Sequence, residues 1–472
     1  MKAQITLGLA LKCVRGRELD QRGQDEQDAE LQGSSTGLTT GIPAIADVAE
    51  ADAATHPAIR PLVASRLPPV FRALRNESFL YFWTGNFLSN IGTWMQNLAQ
   101  GWLILQLTES SFWLGFIGFV AAIPFLIFTL YGGVIADRAS KRVLLLCTQT
   151  AMMVFAFTLS ALVYFKIISV WQLALLSFLN GVASALNAPI YQAMVPTLVR
   201  REDLSNAVAL NTVQFNLSRI IGPTLGGYAV ALVGVAGNFF LNGLSFLAVI
   251  FAVARIDLPV TAKPVRRQSK IESLRDGFRY VRSVPEMHGL VWMVMSISLF
   301  LMPFITFIPY FARNILHTSE RGLGFMMACS GTGALISALF VAHTVSKRGK
   351  MHQRGRILFV AILGVMCGLL VFCCTRNFAL ASVLMFVEGF GMILSIAIMN
   401  MSMQQLSTDA MRGRVMGIYT TAFLGLPPVG SLIIGWLSRY MPAPQAVAGM
   451  TVCAMLCFVA VFARSRALRR FD

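Results

Sequence analysis

The stretch Tyr131–Arg142 reads YGGVIADRASKR and lies between two long apolar runs. It places two glycines, one acid and three bases within twelve residues. A short turn between antiparallel helices needs residues without side chains where the backbones approach, which suits Gly132 and Gly133. The bases indicate the cytoplasmic face of a membrane. The stretch therefore predicts a tight cytoplasmic loop that joins two membrane-spanning helices.

Composition also indicates a membrane protein. The chain has 472 residues, of which 56% are hydrophobic and 13% are charged. This is about half the charge that a soluble protein of this size carries on its surface. The net charge of +17 could indicate a nucleic-acid partner, but such binding needs bases clustered with aromatic residues on a soluble face. We therefore expect no nucleic-acid partner and assign the bases to loops between membrane spans.

Apolar runs of roughly 20 residues recur from Phe71 onward, and each is long enough to cross a hydrocarbon core of about 30 Å. We predict an all-α membrane protein with twelve transmembrane helices in two six-helix, pseudo-symmetric bundles. The predicted spans are 78–106, 112–135, 142–164, 170–192, 206–230, 233–254, 289–312, 322–346, 356–375, 378–404, 415–438 and 443–463.

Polar segments divide the chain into five parts. Residues 1–70 are too polar to bury enough apolar surface to fold alone, so we predict a disordered cytoplasmic N-terminal arm. An alternative is that the start codon lies downstream and that part of this arm is not translated. Residues 255–288 predict a cytoplasmic linker with an amphipathic helix at the inner membrane surface. The N-terminal bundle is predicted over 71–254, the C-terminal bundle over 289–465 and a cytoplasmic tail over 466–472.

The distribution of bases predicts the orientation, because cytoplasmic loops of membrane proteins concentrate Lys and Arg. With the N-terminus inside, nearly all of the 39 bases fall in cytoplasmic segments, and Arg219 alone lies within a span. The outer segments hold only Lys166, Arg313, Arg321, Arg376 and Arg439. We therefore predict a multi-pass protein of the cytoplasmic (inner) membrane with both termini in the cytoplasm.

The two halves of the chain resemble each other. The predicted fifth span contains IIGPTLGGYA and the eleventh contains LGLPPVGSLIIGW, so Pro223 and Pro428 lie 205 residues apart. Spans interrupted by Pro and Gly at corresponding places in two halves are typical of transporters built from repeats.

The pattern Gly-x-x-x-Asp-Arg-x-x-Lys-Arg after the second of twelve spans resembles the major facilitator superfamily. The matching residues are Gly133, Asp137, Arg138, Lys141 and Arg142. The resemblance implies a conformational latch, in which Asp137 joins a charge network between the halves and favours the state closed to the cytoplasm. The corresponding stretch of the second half, HTVSKRGKMHQRGR, has bases but no acid, so the network is expected on one half only. The alternative is an ordinary basic loop.

A second motif lies in the predicted fifth span and comprises Gly222, Pro223, Gly226 and Gly227. Proline breaks a helical hydrogen bond, and the glycines let a neighbouring helix approach closely. The motif resembles one found in the antiporter branches of the superfamily, which implies export; the alternative is a packing kink. The runs NIGTWMQNLAQGWLILQLTESSFWLG and VPTLVRREDLSNAVALN resemble the subgroup that contains the enterobactin exporter and macrolide efflux proteins.

Polar residues within predicted spans are candidates for a substrate and proton cavity. Arg219 and Glu388 lie near the predicted midplane, where an isolated ion costs several kcal/mol and needs a partner or a cavity. A protonatable Glu388 suits coupling to a proton gradient, and the alternative is a structural ion pair or a neutral acid. Gln96, Gln100 and Asn211 complete the predicted cavity. Aromatic residues such as Trp94, Trp102 and Trp113 are typical of a membrane-interface belt.

The sequence contains no GxSxG, HExxH or Walker A pattern, so we predict neither an enzyme nor a bound metal or cofactor. We predict a monomeric secondary active exporter of small molecules, coupled to protons and surrounded by membrane lipids. Siderophores, macrolides and other drug-like molecules all fit as substrates. The alternatives are an importer or symporter on the same fold and a non-transporting membrane scaffold or sensor.

Overall fold

The computed structural model describes residues 69–138, 140–256, 270–348 and 354–464, all within one compact unit, Pro57–Asp472. The described residues form helices joined by short connections and contain no strand, in agreement with the predicted all-α class. The predicted tail and all of the predicted N-terminal arm except Pro69 and Val70 lie outside the described residues.

We number the longer α-helices α1 to α14 in chain order. The first half of the chain contributes α1 Glu77–Thr108, α2 Ser111–Arg138, α3 Lys141–Tyr164, α4 Val170–Met194 and α5 Leu204–Arg255. The second half contributes α6 Lys270–Ser283, α7 Pro285–Ser296, α8 Phe304–Tyr310, α9 Glu320–Arg348, α10 Arg354–Cys374, α11 Phe378–Leu406, α12 Asp409–Gly425, α13 Pro427–Leu437 and α14 Ala443–Arg464. The helix α6 lies within the predicted linker.

Ten helical segments of the described residues are long and apolar enough to cross a membrane. The stretch Pro285–Ile315 counts as one of them although it contains two π-helical segments, and α5 counts as one although it is 52 residues long. The helix α1 coincides with the first predicted span but is not among the ten. Its many amides, including Gln96 and Gln100, reduce its hydropathy. The count of twelve spans therefore stays a prediction.

Some of the helices begin at residues whose side chains satisfy the first backbone N–H groups. Asn76 caps α1, since its side-chain oxygen accepts from the backbone nitrogens of Ser78 and Phe79 at 3.0 and 3.3 Å. At the start of α4, Ser169 and Gln172 form a reciprocal capping box. Such caps stabilise a helix end by about 1 kcal/mol each, so they locate the short connections between the long helices.

The structure of Tyr131–Arg142 differs from the predicted loop, because most of the stretch is helical. Its first eight residues, through Arg138, are the last two turns of α2, and α3 begins at Lys141. Gly132 and Gly133 therefore lie within a helix. The apolar pattern ends near residue 135, where charged residues begin. The helix continues to Arg138 because a helix depends on hydrogen bonds between backbone N–H and carbonyl groups, which do not require apolar side chains. Only residues 139–140 connect the two helices.

Glycine interrupts α5 at one position. Gly234 has φ +73° and ψ 177°, whereas the rest of α5 is helical. A residue with a side chain rarely adopts this backbone conformation. The break divides α5 into two helical legs, Leu204 to Val233 and Val235 to Arg255, which coincide with the fifth and sixth predicted spans.

Two contacts between the halves of the chain are built on glycines. In the α2–α13 contact, Gly115 packs against the carbonyl of Ser431 and against Gly435. In the α5–α9 contact, Gly324 packs against the carbonyl of Pro223 and against Gly227. Helices that approach through glycine bring their backbones close together and gain van der Waals contact. These two contacts hold the first and second halves of the chain against each other.

Candidate functional site

Three polar residues from three helices form a chain of hydrogen bonds, which we call the relay. The Ser330 hydroxyl on α9 donates to Oε2 of Glu388 on α11 at 2.9 Å. The same hydroxyl accepts from Nη2 of Arg219 on α5 at 3.2 Å. The relay thus connects an acid and a base from opposite halves of the chain through one serine.

The surroundings of the relay exclude bulk water. Glu388 is only 7% exposed, and the Arg219 guanidinium carbon lies 6.0 Å from the ring centroid of Trp94 on α1. A cavity of about 20 Å³ adjoins Arg219 and Ser330 and has room for roughly one water molecule. Its remaining walls are Trp94, Ile305, Ile308, Met327 and Met385. In this arrangement the site is too small for a small-molecule substrate.

Glycine and proline bring the three helices close enough for the relay to form. Pro223 has no N–H group, so the carbonyl of Arg219, four residues earlier, loses its helical donor. This carbonyl oxygen faces Gly331, where an added Cβ would lie 3.0 Å from it. On the other side of α9, Gly389 packs directly on the backbone of Ser330. Side chains at either glycine would push α9 away and separate Ser330 from its partners.

Electrostatics explains why the two charged groups occur together. A single buried ion costs several kcal/mol because it loses its hydration, and an opposite charge offsets part of that cost. Glu388 receives one hydrogen bond from Ser330, and Arg219 donates one to the same hydroxyl and lies near the face of Trp94. Cation–π attraction stabilises such an arginine further. The relay is therefore a compensated polar site inside an apolar contact.

The predicted Gly-Pro motif packs α5 between two other helices. Gly222 contacts Trp94 and the Ile91 carbonyl, so it faces α1. Gly227 faces α9, since an added Cβ would lie 2.6 Å from the carbonyl oxygen of Glu320. Gly226 also faces α1, against Met95, and its carbonyl accepts from Asn238. The motif thus lets α5 approach two neighbouring helices over the turns that follow Arg219.

The other predicted cavity residues do not join the relay. Gln96 is buried and accepts from the Asn242 amide at 2.6 Å, which bonds α1 to α5. The amide of Gln100 donates to Ser177 on α4 at 3.1 Å. Asn211 accepts from the Tyr191 hydroxyl at 3.3 Å. Each of these three amides therefore forms a hydrogen bond between helices of the first half.

The predicted latch is described only in part, because the side chains of residues 129–139 lie outside the description. The two bases at its end, Lys141 and Arg142, donate to the backbone carbonyls of Ala193 and Ala254. These carbonyls lie in the last turns of α4 and α5, where the helix dipole favours positive charge. Both bases thus bind the start of α3 to the ends of neighbouring helices of the first half.

Sequence reasoning missed Ser330 and assigned Trp94 to the membrane interface. The structure instead places Trp94 half-buried beside Arg219. For Ser330 a usable signal existed, because the run Ser330-Gly331-Thr332-Gly333 is a cluster of small residues within an apolar span. Such clusters mark positions where transmembrane helices meet closely.

Comparison with known proteins gives consistent relatives. The profile of a family described as transmembrane secretion effector matches residues 69–472. The enterobactin exporter EntS of Shigella flexneri is 26% identical over 410 residues, which cover 85% of this chain and 93% of that protein. The staphyloferrin A transporter of Staphylococcus aureus (strain NCTC 8325 / PS 47) is 24% identical over 293 residues, 60% of this chain and 72% of that protein.

Solved structures show the same fold. A crystal structure of a variant of the nucleoside transporter NupG is similar with a TM-score of 0.65 at 13% identity, covering 82% of this chain and 99% of that one. Together with the profile match over most of the chain, this likeness assigns the fold. The chain belongs to the transmembrane secretion effector family of the major facilitator superfamily, whose members are membrane transporters and not enzymes.

Proposed function

We propose that this chain is a secondary active exporter, which moves small molecules across the cytoplasmic membrane by alternating access in exchange for protons. The observation that carries the proposal is the relay. It is a buried acid and a base that meet where helices from opposite halves of the chain pack together. A transporter needs such a point, because ion binding there can change how the halves contact each other.

Proton binding to Glu388 supplies the coupling. In the ionised state its carboxylate accepts from Ser330, which also accepts from Arg219. A proton on the carboxylate removes its negative charge and weakens its attraction to Ser330 and Arg219. The α5–α9 contact then keeps the hydrogen bond from Arg219 to Ser330 but loses the charge attraction that supports it, and this favours separation of the halves at this level.

The arrangement of the glycine contacts supports a state open to the cytoplasm. In one contact, Gly115 is near the start of α2 and Gly435 is near the end of α13. In the other, Gly227 precedes the break at Gly234, and Gly324 is near the start of α9. The base distribution assigns these helix ends to the outer face. Toward the other end α5 is exposed at Ser205, Val208, Thr212 and Phe215. Substrate would enter from that side.

The architecture of this proposal has twelve spans in two bundles of six. The helix α1 provides the first span, and the two legs of α5 provide the fifth and sixth. Asp137, at the end of α2, acts as part of a latch that favours closure to the cytoplasm, with Lys141 and Arg142 holding its connection in place. Both termini then lie in the cytoplasm, and the protein works as a monomer.

The relatives point to the class of substrate. Enterobactin and staphyloferrin A, named in two of them, are siderophores. We therefore propose siderophore-type molecules first, with macrolides and other drug-like molecules as further candidates.

The test is transport in vesicles that contain the purified full-length chain. Under an imposed pH gradient, wild-type protein should move enterobactin against its concentration gradient, and collapse of the pH gradient should stop this. Glu388→Gln, which mimics the protonated acid, should lose uphill transport but keep downhill exchange. Glu388→Asp is the matched control that keeps the charge. Uphill transport that persists without a pH gradient would contradict proton coupling.

Two alternative functions have separate tests. An importer would accumulate the same molecule inside intact overexpressing cells, whereas an exporter would deplete it. A non-transporting scaffold or sensor would show no vesicle transport in any variant and no thermal stabilisation by any candidate substrate.

A further inference from the structure

A groove of about 720 Å³ runs along α7 and α14, away from the relay. Its walls come from these two helices, from Leu299 and Phe300 in the π-helical segment Ile297–Leu301 that follows α7, and from Leu426 at the junction of α12 and α13. In the described part of the chain, no residue before Pro285 lines it. The groove is therefore formed by the second half alone and lies outside the contacts between the halves.

The walls of the groove change from polar to apolar along α7. His288 lies near the start of α7, Trp292 lies one turn further along, and Arg464 is the last residue of α14. The far end is lined by Leu299, Phe300 and Leu426. The thirteen residues from His288 to Phe300 rise roughly 18 Å along a helix. This length is close to one leaflet of the hydrocarbon core, about 15 Å.

The polar end of the groove presents donors. The Trp292 indole N–H donates to Nε2 of His288 at 3.1 Å, so the proton of a neutral imidazole is on Nδ1 and can serve a further acceptor. Arg464 adds a guanidinium with several donors, and Arg466, Arg469 and Arg470 follow it in the sequence. This end therefore suits an anion, whereas the rest suits a hydrocarbon chain.

We propose that this groove binds an anionic phospholipid, with an acyl chain along α7 and the phosphate at Arg464 and His288. An amphiphile of this kind matches both the charge at one end and the apolar length of the groove. Trp292 lies between the two parts, at the depth where aromatic side chains occur in membrane proteins. The site does not depend on the direction or coupling of transport.

The experiment uses the purified full-length chain in detergent and phospholipids with brominated acyl chains, which quench nearby tryptophan fluorescence. The difference between wild type and Trp292→Phe isolates the signal of Trp292. Brominated phosphatidylglycerol should quench this signal at about fivefold lower concentration than brominated phosphatidylcholine, since one arginine near a phosphate contributes about 1 kcal/mol. Arg464→Glu should remove this preference, and Arg464→Lys should keep it. Arg376→Glu, on a different connection, is the control and should leave it unchanged.

Three outcomes would overturn the proposal. Equal quenching by both lipids would show that the groove binds membrane lipid without preference for an anionic headgroup. A preference that survives Arg464→Glu would place the phosphate elsewhere. Displacement of the brominated lipid by a transported small molecule would make the groove part of the substrate path. None of these results changes the vesicle test of Glu388, so the two proposals fail separately.

Discussion

The α2–α13 contact and the α5–α9 contact use the same way of packing but differ in chemistry. Both bring helix backbones together at glycines, with Gly115 and Gly435 in one and Gly227 and Gly324 in the other. Only the second contains the relay, with Arg219 and Glu388 joined through Ser330. The difference separates two tasks. Glycine packing closes the helices on both sides, whereas a titratable group acts on one side only.

The largest expected effect comes from removing the positive partner in the relay. Arg219→Met leaves the buried Glu388 without its base, and breaking a buried pair in this way costs about 3 kcal/mol or more. Thermal unfolding in detergent should show a lower midpoint than wild type. The double variant Arg219→Met/Glu388→Leu should recover most of that loss, because no charge stays buried. An unchanged midpoint in the single variant would show that the relay contributes nothing to the contact.

A side chain at the glycines should open both contacts to a similar extent. In Gly324→Ala the new Cβ would lie 2.5 Å from the Pro223 carbonyl oxygen, and Gly115→Ala would meet the Ser431 carbonyl in the same way. Overpacking of this kind costs about 1–3 kcal/mol. Spin-label distances across each contact should increase.

The matched control for these glycine variants is Gly417→Ala, since no atom lies within 4 Å of its added Cβ. Distances in this variant should stay as in wild type. If only Gly324→Ala opened its contact, the two sides would not be equivalent in packing.

A smaller effect is expected from Ser330→Ala, which removes the hydroxyl but leaves both charges. Loss of hydrogen bonds to charged groups costs about 1.5–3 kcal/mol, and relaxation of Arg219 toward Glu388 should recover part of it. On the same helix, Ser337 is fully buried and its hydroxyl has no hydrogen-bond partner among the described residues. Ser337→Ala should therefore be neutral in thermal unfolding. Equal effects of the two variants would argue against a special role of Ser330.

The smallest effect is expected for an ion pair outside the buried contact. Asp276 on α6 accepts from Arg414 on α12 at 3.1 Å, and the two side chains are 46% and 28% exposed. Solvent screens such a pair, so Asp276→Asn should cost roughly 0–1 kcal/mol. The cost should vanish at 1 M salt, where the screening length is about 3 Å. A salt-independent loss would indicate packing of α6 and not charge.

A comparable pair fixes the segment before α1. Arg72 contacts Glu202 and Asp203 at 2.7 Å each, just before α5. The hydrogen bond to Glu202 and the charges of both acids raise the pKa of Arg72. Asp276 lies 204 residues after Arg72, and Arg414 lies 211 after Asp203, so the two pairs occupy similar places with the charges exchanged. Each half thus has an ion pair of this kind, with acid and base exchanged.

The sequence was sufficient for the class of fold and for the two charged residues of the relay. Arg219 and Glu388 stand out because ions are rare within apolar runs. Their connection through Ser330 could not be predicted, since it depends on the rotation of α9 and on how closely Gly331 and Gly389 let it approach. Gln96 looked like a cavity residue for the same reason as Arg219, but its partner, Asn242, is on a neighbouring helix 146 residues away.

Hydropathy also misplaced the end of α2. Asp137 and Arg138 resemble loop residues because they are charged, whereas the backbone hydrogen bonds of the helix continue through them. Side-chain polarity indicates where a chain leaves the apolar layer, and helix ends depend on backbone partners.

The break at Gly234 has a mechanical consequence. One residue joins the two legs of α5, so the connection has almost no slack, and we expect a displacement of one leg to pass to the other at Gly234. One leg carries Arg219, and the last turn of the other contains Ala254, whose carbonyl accepts from Arg142 at the start of α3. In the proposed mechanism, a displacement at the relay would therefore reach the far end of the second leg, next to Arg142. Protonation of Glu388 would thus affect the predicted latch through the backbone at Gly234.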